Sequence, residues 1–367
     1  MKIRKIFAAI AAAAMAVSAT ACASSTNSSS TADSSAADSS AADSSTPATT
    51  ADAASTADAS SAADDSSAAE IPADKVYNIG ICQLVQHEAL DAATQGFKDV
   101  LTEKLGADHV KFDEQNANGE STNCTTICTG FAASGVDLIL ANATGALQAA
   151  SAATATIPIL GTSVTDYATA LSIDDWTGAT GTNISGTSDL APIDEQAKML
   201  LEMFPDVKQV GILYCSAEAN SKYQATLFAN ALADAGVACK EYSAADTNEI
   251  STVCTTAIGE CDGLYLPTDN TMASSTETIK NIVVPARIPV IAGEEGICRG
   301  CGVATLSISY EDLGRATGEM AYEILVEGAD ISTMDVRFAP NVTKKYNASI
   351  CAELGITAPE GYEAIAE

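Results

Sequence analysis

The chain has 367 residues, of which 48 are acidic and 18 are basic, and its formal net charge at pH 7 is −30. A surface this acidic repels phosphate groups, which argues against a nucleic-acid partner. It also keeps a protein soluble outside the cell. The part from Val76 onward is long enough for two domains, each with its own core.

The N-terminus has the pattern of an export signal. Lys2, Arg4 and Lys5 precede an apolar run over residues 6–17, which is too short to span a bilayer comfortably. Small residues then lead to Cys22, as in the lipobox of bacterial lipoproteins. We therefore predict a signal peptide over residues 1–21 and a lipid on Cys22. The alternative is an ordinary signal peptide cut near Ala21.

Residues 22–75 form a second, distinct region, made almost entirely of Ser, Thr, Ala and Asp. Such a composition cannot bury enough apolar surface to offset the entropy of ordering. We predict a disordered tether with a root-mean-square reach of roughly 40 Å. Together with a lipid on Cys22, it would hold the folded part at the outer face of the cell membrane.

The eleven cysteines are not spaced like a disulfide scaffold. Cys82 and Cys215 end predicted core strands, and Cys124 and Cys128 are one helical turn apart, so we interpret all four as small core residues. The one CxxC motif begins at Cys298, and a local disulfide or free thiols are favoured there over a redox or metal function. A zinc site would need further ligands, and the chain has only two histidines. We predict no metal and no cofactor.

From Val76 onward, strand-like and helix-like segments alternate, which is typical of parallel sheets with crossover helices. We assign residues 76–188 to a first lobe and 189–340 to a second, with a helix over 189–204 near the hinge and Asp189 as its N-cap. A strand near Met334–Phe338 would cross back to the first lobe, and residues 341–367 would return toward it. The predicted strands of the first lobe begin near residues 77, 109, 136, 157 and 182, and those of the second near 209, 238, 263, 289 and 303. The last predicted helix, residues 310–327, falls in the second lobe.

The two lobes carry a repeated pattern. The strand that contains Gly80 resembles the strand that contains Gly211, and an Ile-Pro pair follows each, with Pro158 and Pro289 both 78 positions after the glycine. The predicted fold class is therefore α/β, with two doubly wound Rossmann-like lobes joined by a multi-segment hinge. A duplicated lobe with a cleft between the copies is typical of a ligand clamp.

Polar residues concentrate where predicted strands end and helices begin, which is where open parallel sheets bind ligands. Many of them could instead be helix caps, and His87 could be a rim histidine without a ligand. Three tyrosines near the predicted cleft, Tyr167, Tyr223 and Tyr310, could stack on a planar ligand or simply pack at its rim. The candidate ligand-binding residues are Gln83, His87, Thr144, Ser163, Thr165, Asp166, Asp189, Glu218, Asn220, Ser221, Asp269, Asn270 and Glu294.

Several segments resemble one family in the right order. They are Gln83–Asp91, Gln115–Gly119, Thr162–Asp166, Glu218–Ser221, Pro267–Thr271 and Tyr310–Gly318. They resemble the TrpX-like substrate-binding proteins of ABC importers, which have the type I periplasmic-binding-protein fold. The resemblance covers about Val76 to Ile356. The chain departs from the usual pattern by its cysteines at 82, 124, 128 and 215, and by Gly293-Glu294-Glu295-Gly296.

The resemblance implies a monomer that captures an amino acid, tryptophan or another aromatic one first, and delivers it to an ABC permease and its ATPase. The residues permit this, because carboxylates can hold an ammonium group, and hydroxyls with helix N–H groups can hold a carboxylate. A receptor module for a membrane signalling protein, or a binder of another small molecule, stays open. No nucleotide-binding or hydrolase motif is present, so we do not expect an enzyme.

Overall fold

A computed structural model describes residues 75–339, 341–358 and 360–366. The predicted signal peptide, Cys22 and nearly all of the predicted tether lie outside these residues. None of the helices in the described ranges combines the length and hydropathy needed to cross a bilayer.

The described residues form thirteen strands, twelve α-helices and two short 3₁₀ helices. The strands are β1 (Tyr77–Gln83), β2 (Val110–Asn116), β3 (Leu138–Asn142), β4 (Ile159–Val164), β5 (Ile184–Ser188), β6 (Gln209–Cys215), β7 (Ala238–Ala244), β8 (Gly263–Leu266), β9 (Val290–Ala292), β10 (Ala304–Ile308), β11 (Arg337–Phe338), β12 (Val342–Tyr346) and β13 (Glu363–Ala364). The helices are α1 (Glu88–Leu105), α2 (Ser121–Ser134), α3 (Thr144–Ala153), α4 (Tyr167–Leu171), α5 (Ile193–Met203), α6 (Ala219–Asp234), α7 (Ile250–Ile258), α8 (Asn270–Ala273), α9 (Thr276–Val283), α10 (Glu295–Cys301), α11 (Tyr310–Leu325) and α12 (Ala348–Leu354).

The strands form two sheets with the same internal order. The first sheet runs β11-β5-β4-β3-β1-β2, and the second runs β13-β12-β10-β9-β8-β6-β7. Adding five to each strand number of β5-β4-β3-β1-β2 gives β10-β9-β8-β6-β7, so the sequence repeat corresponds to a structural repeat. All pairs within these two runs are parallel. The predicted α/β fold class with two doubly wound lobes is confirmed.

Both sheets are buried between helices, which explains the continuous apolar runs in their strands. Every residue of β3 and β4 is buried. One core cluster fills the second lobe, and two clusters lie on the two faces of the first sheet. This packing fixes the strand ends, from which the polar groups of the cleft project.

The helix α11 corrects the predicted lobe boundary. We assigned residues 310–327 to the second lobe, but α11 packs along α1 of the first. Glycine allows this close approach: a Cβ on Gly314 would lie 2.0 Å from the carbonyl oxygen of Ala93, and one on Gly318 would lie 3.0 Å from that of Phe97. The chain therefore leaves the second lobe after β10 and not at residue 340.

The C-terminal segment also belongs to a different lobe from the one that we predicted. We expected residues 341–367 to return toward the first lobe, but β12 pairs antiparallel with β10, and β13 pairs with β12, both in the second sheet. Only β11 crosses to the first sheet, where it pairs with β5. The chain thus passes between the lobes at three places: after β5, after β10 and after β11.

The ten cysteines of the described residues are all free, and nine of them are buried. The CxxC motif lies at the C-terminal end of α10, and both of its thiols are buried. The motif therefore ends a helix and is followed directly by β10. Among the described residues, no group of three or more His, Cys, Asp or Glu side chains is arranged to hold a metal ion.

Candidate ligand-binding site

A narrow cavity lies between the lobes at the carboxyl ends of both sheets. It measures about 10 Å³, close to the least that accommodates one water molecule. We call it the central cavity. It is lined by His87, Leu90, Ser163, Asp189, Asn220, Thr268, Asp269, Asn270, Ala273, Glu294 and Tyr310.

Asp189 and Tyr310 form the floor of the cavity at two of the three crossings. Asp189 directly follows β5, and Tyr310 begins α11, so each lies where the chain changes lobe. The Tyr310 hydroxyl donates a hydrogen bond of 2.9 Å to Oδ2 of Asp189. The other carboxylate oxygen, Oδ1, is buried and has no partner. Burial raises the pKa of the Asp189 carboxyl, and the nearby hydroxyls of Thr165 and Tyr310 offset part of that rise.

Asp189 does not cap a helix, contrary to our prediction. Helix α5 begins later, at Ile193, with Pro192 at its N-cap position and no side-chain cap. Pro192 supplies the extended conformation that precedes the helix. The Asp189 side chain is therefore free of the helix and only 3% exposed.

The other acidic residues in the cavity wall are committed to helix N-termini. Glu294 is the N-cap of α10 and accepts hydrogen bonds from the N–H groups of Gly296, at 2.6 Å, and Ile297. Asp269 caps α8 through the N–H of Met272, at 2.8 Å, and also accepts from the N–H of Cys215. Burial raises the pKa of Glu294 to about 7 and the pKa of Asp269 well above its usual range. Their carboxylates already have partners, unlike Oδ1 of Asp189.

The carboxylate of Glu218 also stabilises a helix N-terminus. It accepts hydrogen bonds from the backbone N–H groups of Asn270 and Thr271 and from both of their side chains, at distances between 2.6 and 3.1 Å. It thereby holds the N-terminus of α8 in place. Its neighbour Asn220 lines the cavity and donates to the Thr268 carbonyl at 3.1 Å.

Ser163 presents an unusual backbone to the cavity. Its φ is 55°, a left-handed conformation that is uncommon for a residue other than glycine. Its hydroxyl oxygen is buried without a partner. Strained residues persist where the surrounding structure holds them, and they concentrate at binding sites. The orphan oxygens of Ser163 and Asp189 are thus both in residues that line the same cavity.

His87 joins the two lobes across the cleft. Its Nε2 lies 3.1 Å from Oδ1 of Asn270. The Asn270 amide nitrogen donates to Glu218 at 2.6 Å, so Oδ1 accepts and the His87 Nε2 carries the proton. Burial lowers the pKa of His87, which keeps the ring neutral.

Six of the predicted residues lie outside the cavity wall: Glu218, described above, Thr165, and the four that follow here. The Gln83 amide is used within the first lobe, where it donates to Asp91 at 2.7 Å and accepts from Thr94 at 2.7 Å. Asp166 caps α4 through the N–H of Thr169 at 2.7 Å. Thr144 begins α3, and its buried hydroxyl has no partner. Ser221 lies in α6 and accepts from the side chain of Asn220.

Thr165 also lies outside the cavity wall and contacts the other lobe. Its hydroxyl accepts a hydrogen bond of 3.3 Å from Gln224 of α6. On the opposite flank, Arg299 of α10 forms an ion pair of 2.9 Å with Glu88 of α1. The lobes are therefore held together on both sides of the central cavity.

Of the three tyrosines near the predicted cleft, only Tyr310 lines the cavity. Tyr167 is buried in the first lobe, where its hydroxyl donates to the Thr187 carbonyl at 3.1 Å. Tyr223 does not line the cavity, and Tyr310 does so with its hydroxyl engaged by Asp189. Leu90 and Ala273 also line the cavity, and sequence reasoning missed them because apolar residues in the first turn of a helix carry no polar signal.

Residues 78–367 match the family described as ABC transporter substrate binding protein. The chain belongs to this family. Its members are binding proteins and not enzymes, and the resemblance to TrpX-like proteins with the type I fold is confirmed. A curated relative, a tyrosine-binding protein of Clostridioides difficile (strain R20291), is 35% identical over 264 residues, which are 71% of this chain and 76% of the relative.

Two solved structures that are similar to this chain differ in whether a ligand is bound. One is an ABC domain from Streptococcus pneumoniae in complex with L-Trp, which is 32% identical, covers 79% of this chain and all of its own, and has a TM-score of 0.75. The other is the ligand-free, open structure of a substrate-binding protein from Clostridium difficile, which is 36% identical, covers 79% of this chain and 99% of its own, and has a TM-score of 0.61. The chain is thus more similar in structure to the tryptophan complex than to the open form, although its sequence is more similar to the latter.

Proposed function

We propose that this substrate-binding protein captures an amino acid by its ammonium group at Asp189. The observation that carries the proposal is the buried Oδ1 of Asp189. This oxygen has no hydrogen-bond partner, and Asp189 lines the central cavity. A buried carboxylate oxygen without a partner costs free energy, and an ammonium group supplies both the missing hydrogen bond and the opposite charge. The other two acids of the cavity wall are already satisfied as helix caps.

The Ser163 hydroxyl is the matching group for the ligand carboxylate. Its oxygen is buried without a partner, and the hydroxyl hydrogen can rotate toward an acceptor. The cavity wall contains no Lys or Arg, and burial lowers the pKa of His87. A dianion would normally require a bidentate Arg, so the site suits a zwitterion. Tryptophan or another aromatic amino acid is the first choice, on the basis of the ligands named for its relatives.

The central cavity is too small for a whole amino acid, so binding requires the lobes to separate and then close. The ligand favours the closed form by the contacts that it makes only there. Asp189 and Tyr310 lie at two crossings, so a ligand on Asp189 touches the hinge itself. The closed form would then deliver the ligand to an ABC permease and its ATPase.

The predicted export signal and Cys22 complete the proposal: the protein acts as a monomeric lipoprotein at the outer face of the cell membrane. Palmitate labelling of the cells tests the anchor, and the label should disappear in Cys22→Ala. Failure to label the unchanged protein, under conditions that label another lipoprotein, would overturn it.

Isothermal titration of the purified protein with the common amino acids tests the ligand. Asp189→Asn keeps the shape of the side chain but removes its charge, and we expect it to weaken binding by about tenfold or more, as for a lost charge-assisted hydrogen bond. Asp206→Asn is the matched control, because Asp206 is exposed and outside the cavity wall. If no amino acid binds the unchanged protein, the proposal is wrong.

A further inference from the structure

A buried glutamine of the second lobe reaches across the cleft into the first lobe. Gln224 lies in α6 and is 1% exposed. Its Nε2 lies 3.3 Å from the hydroxyl oxygen of Thr165, which directly follows β4 and is 3% exposed. The contact is therefore a buried hydrogen bond between the lobes, and it forms only when they are closed.

Within the second lobe, Gln224 holds the loop between β8 and α8. Its Oε1 accepts a hydrogen bond of 3.1 Å from the N–H of Thr268, and its Nε2 donates to the carbonyl of the same residue at 3.2 Å. Thr268 lines the central cavity, as do Asp269 and Asn270, which follow it in the chain. One side-chain amide thus sets the position of three consecutive residues of the cavity wall.

Within the first lobe, Thr165 is tied to the crossing of the chain that carries Asp189. The carbonyl of Thr165 accepts a hydrogen bond of 2.8 Å from the hydroxyl of Ser188, the residue before Asp189. The N–H of Asp189 donates to the carbonyl of Val164, the residue before Thr165, at 3.3 Å. The Thr165 hydroxyl also lies near the Asp189 carboxylate. A displacement of Thr165 is therefore passed directly to Asp189.

The direction of the hydrogen bond between the lobes is defined by its donor. An amide nitrogen only donates, so the Thr165 oxygen accepts, and its own hydrogen can turn toward the Asp189 carboxylate. When the lobes separate, the two Nε2 hydrogens of Gln224 keep two acceptors, the carbonyls of Thr268 and Asn220, at 3.2 and 3.3 Å. Because no hydrogen of the amide loses its last partner, the contact can form and break in each cycle of closure.

We propose that Gln224 is a positioning residue that couples closure of the second lobe to Asp189 through the Thr165 hydroxyl and thereby slows the release of the ligand. This role rests on the proposed function, because it takes the ligand to be held at Asp189. The ligand reaches Asp189 while the lobes are apart, when Gln224 does not touch Thr165. The contact therefore changes the rate of dissociation and leaves the rate of association nearly unchanged.

Two substitutions of Thr165 separate the effect of its hydroxyl from that of its shape. Thr165→Val keeps the shape and removes the hydroxyl. We expect it to raise the dissociation rate by about two- to tenfold, as for one neutral hydrogen bond, and to change the association rate by less than about twofold. Thr165→Ser keeps the hydroxyl and removes a methyl group, and its dissociation rate should stay within about twofold of that of the unchanged protein. A role in packing alone would give the opposite order.

Stopped-flow fluorescence of the purified protein measures both rates, with L-tryptophan and L-tyrosine as the probes. Gln224→Met, alone and combined with Thr165→Val, shows whether the hydroxyl acts through Gln224, and we expect the double variant to release the probe no faster than Gln224→Met alone. Thr226→Val is the matched control and should leave both rates unchanged. Thr226 is exposed on α6, and its hydroxyl donates to the carbonyl of Lys222 in the same helix at 3.0 Å.

The outcomes separate this role from the proposed function. If a probe binds but the effects of Thr165→Val and Gln224→Met multiply, or if Thr165→Ser releases it as fast as Thr165→Val, the role of Gln224 is overturned and the proposed function stands. If Gln224→Met does not fold, the association rate of Thr165→Val decides, because a hydroxyl that acted on Asp189 without Gln224 would also act in the open form and would lower that rate when lost. If neither probe binds, the role is overturned, and if no amino acid binds, the proposed function fails as well.

Discussion

Removal of one hydroxyl, in Tyr310→Phe, isolates the contact between two crossings of the chain. The Tyr310 hydroxyl donates at 2.9 Å to the Asp189 carboxylate, and no other hydrogen bond in the structure reaches Oδ2 of that side chain. Both residues are almost completely buried, with 6% and 3% of their surface exposed. The variant therefore removes this donor from a buried carboxylate and leaves the nearby Thr165 hydroxyl as the side chain that stabilises its charge.

The size of the effect follows from the charge of the acceptor. A hydrogen bond to a charged group contributes about 1.5–3 kcal/mol to stability, against about 0.5–1.5 kcal/mol for a neutral pair. We expect Tyr310→Phe to lower the free energy of unfolding by about 2 kcal/mol at pH 7. For a protein of this size, that corresponds to a fall of roughly 4–8 °C in Tm.

The pH dependence has a defined sign. Burial raises the pKa of Asp189 in the folded protein above its unfolded value, so the folded state binds the proton more tightly. The contribution of this group to stability is therefore greatest at low pH and is lost as the pH rises from the unfolded pKa toward the folded one. Tyr310→Phe removes a donor to the charged form, so it raises the pKa of Asp189 further and its cost grows over the same interval.

Urea unfolding of both proteins from pH 4 to pH 8 measures this difference. Asp189→Asn and the double variant complete the cycle, and the coupling between the two positions should be about 1 kcal/mol or more at pH 7. A difference between Tyr310→Phe and the unchanged protein that is the same at pH 4 and pH 8 would refute the reasoning, because it would show that the hydroxyl does not act on a charge.

Three further predictions concern closure and packing. Glu88→Gln breaks the ion pair with Arg299, and because both side chains are partly exposed, we expect ligand affinity to fall by no more than about fivefold, less so at high salt; an effect that salt does not reduce would contradict this. His87 has a lowered pKa when buried, so ligand affinity should decrease as the pH falls below about 6.5, and His87→Gln should remove that component in titrations at pH 5.5 and 7.5. Gly314→Ala should destabilise the protein by about 2 kcal/mol or more in urea unfolding, because α1 leaves no room for a Cβ. Gly130→Ala, where no atom lies within 4 Å, should instead stabilise α2 by about 0.5–1 kcal/mol; equal effects of the two changes would be evidence against the packing argument.

The fold could be predicted from the sequence because its signals are local and repeated. The apolar runs that became β3 and β8, and the Ile-Pro pairs before β4 and β9, recur at the same spacing. The lobe to which each helix belongs could not be predicted in this way. The glycines of α11 read as ordinary small residues until α1 is placed against them, since only tertiary structure shows that Gly314 meets the backbone at Ala93.

The cavity wall was predictable only in part. Residues at strand ends, such as Ser163 and Asp269, could be named because parallel sheets present them at one edge. The sequence does not show which of these residues are free to bind a ligand, because helix caps and ligand contacts use the same residue types. Glu294 and Asp189 look equivalent in sequence, and only the hydrogen bonds separate a capped acid from one with an unpartnered oxygen.

Because nearly all of the described cysteines are buried, the reactivity of their thiols reports local opening of the structure. Nine of the ten described thiols are shielded from solvent, so a thiol reagent should react with them only when the surrounding structure opens. Cys82, Cys124 and Cys128 lie in the core of the first lobe, and Cys254 and Cys298 in that of the second. Peptide mapping of the labelled sites would therefore measure how often each lobe opens locally. It would also show whether bound ligand slows this opening in both lobes or in only one.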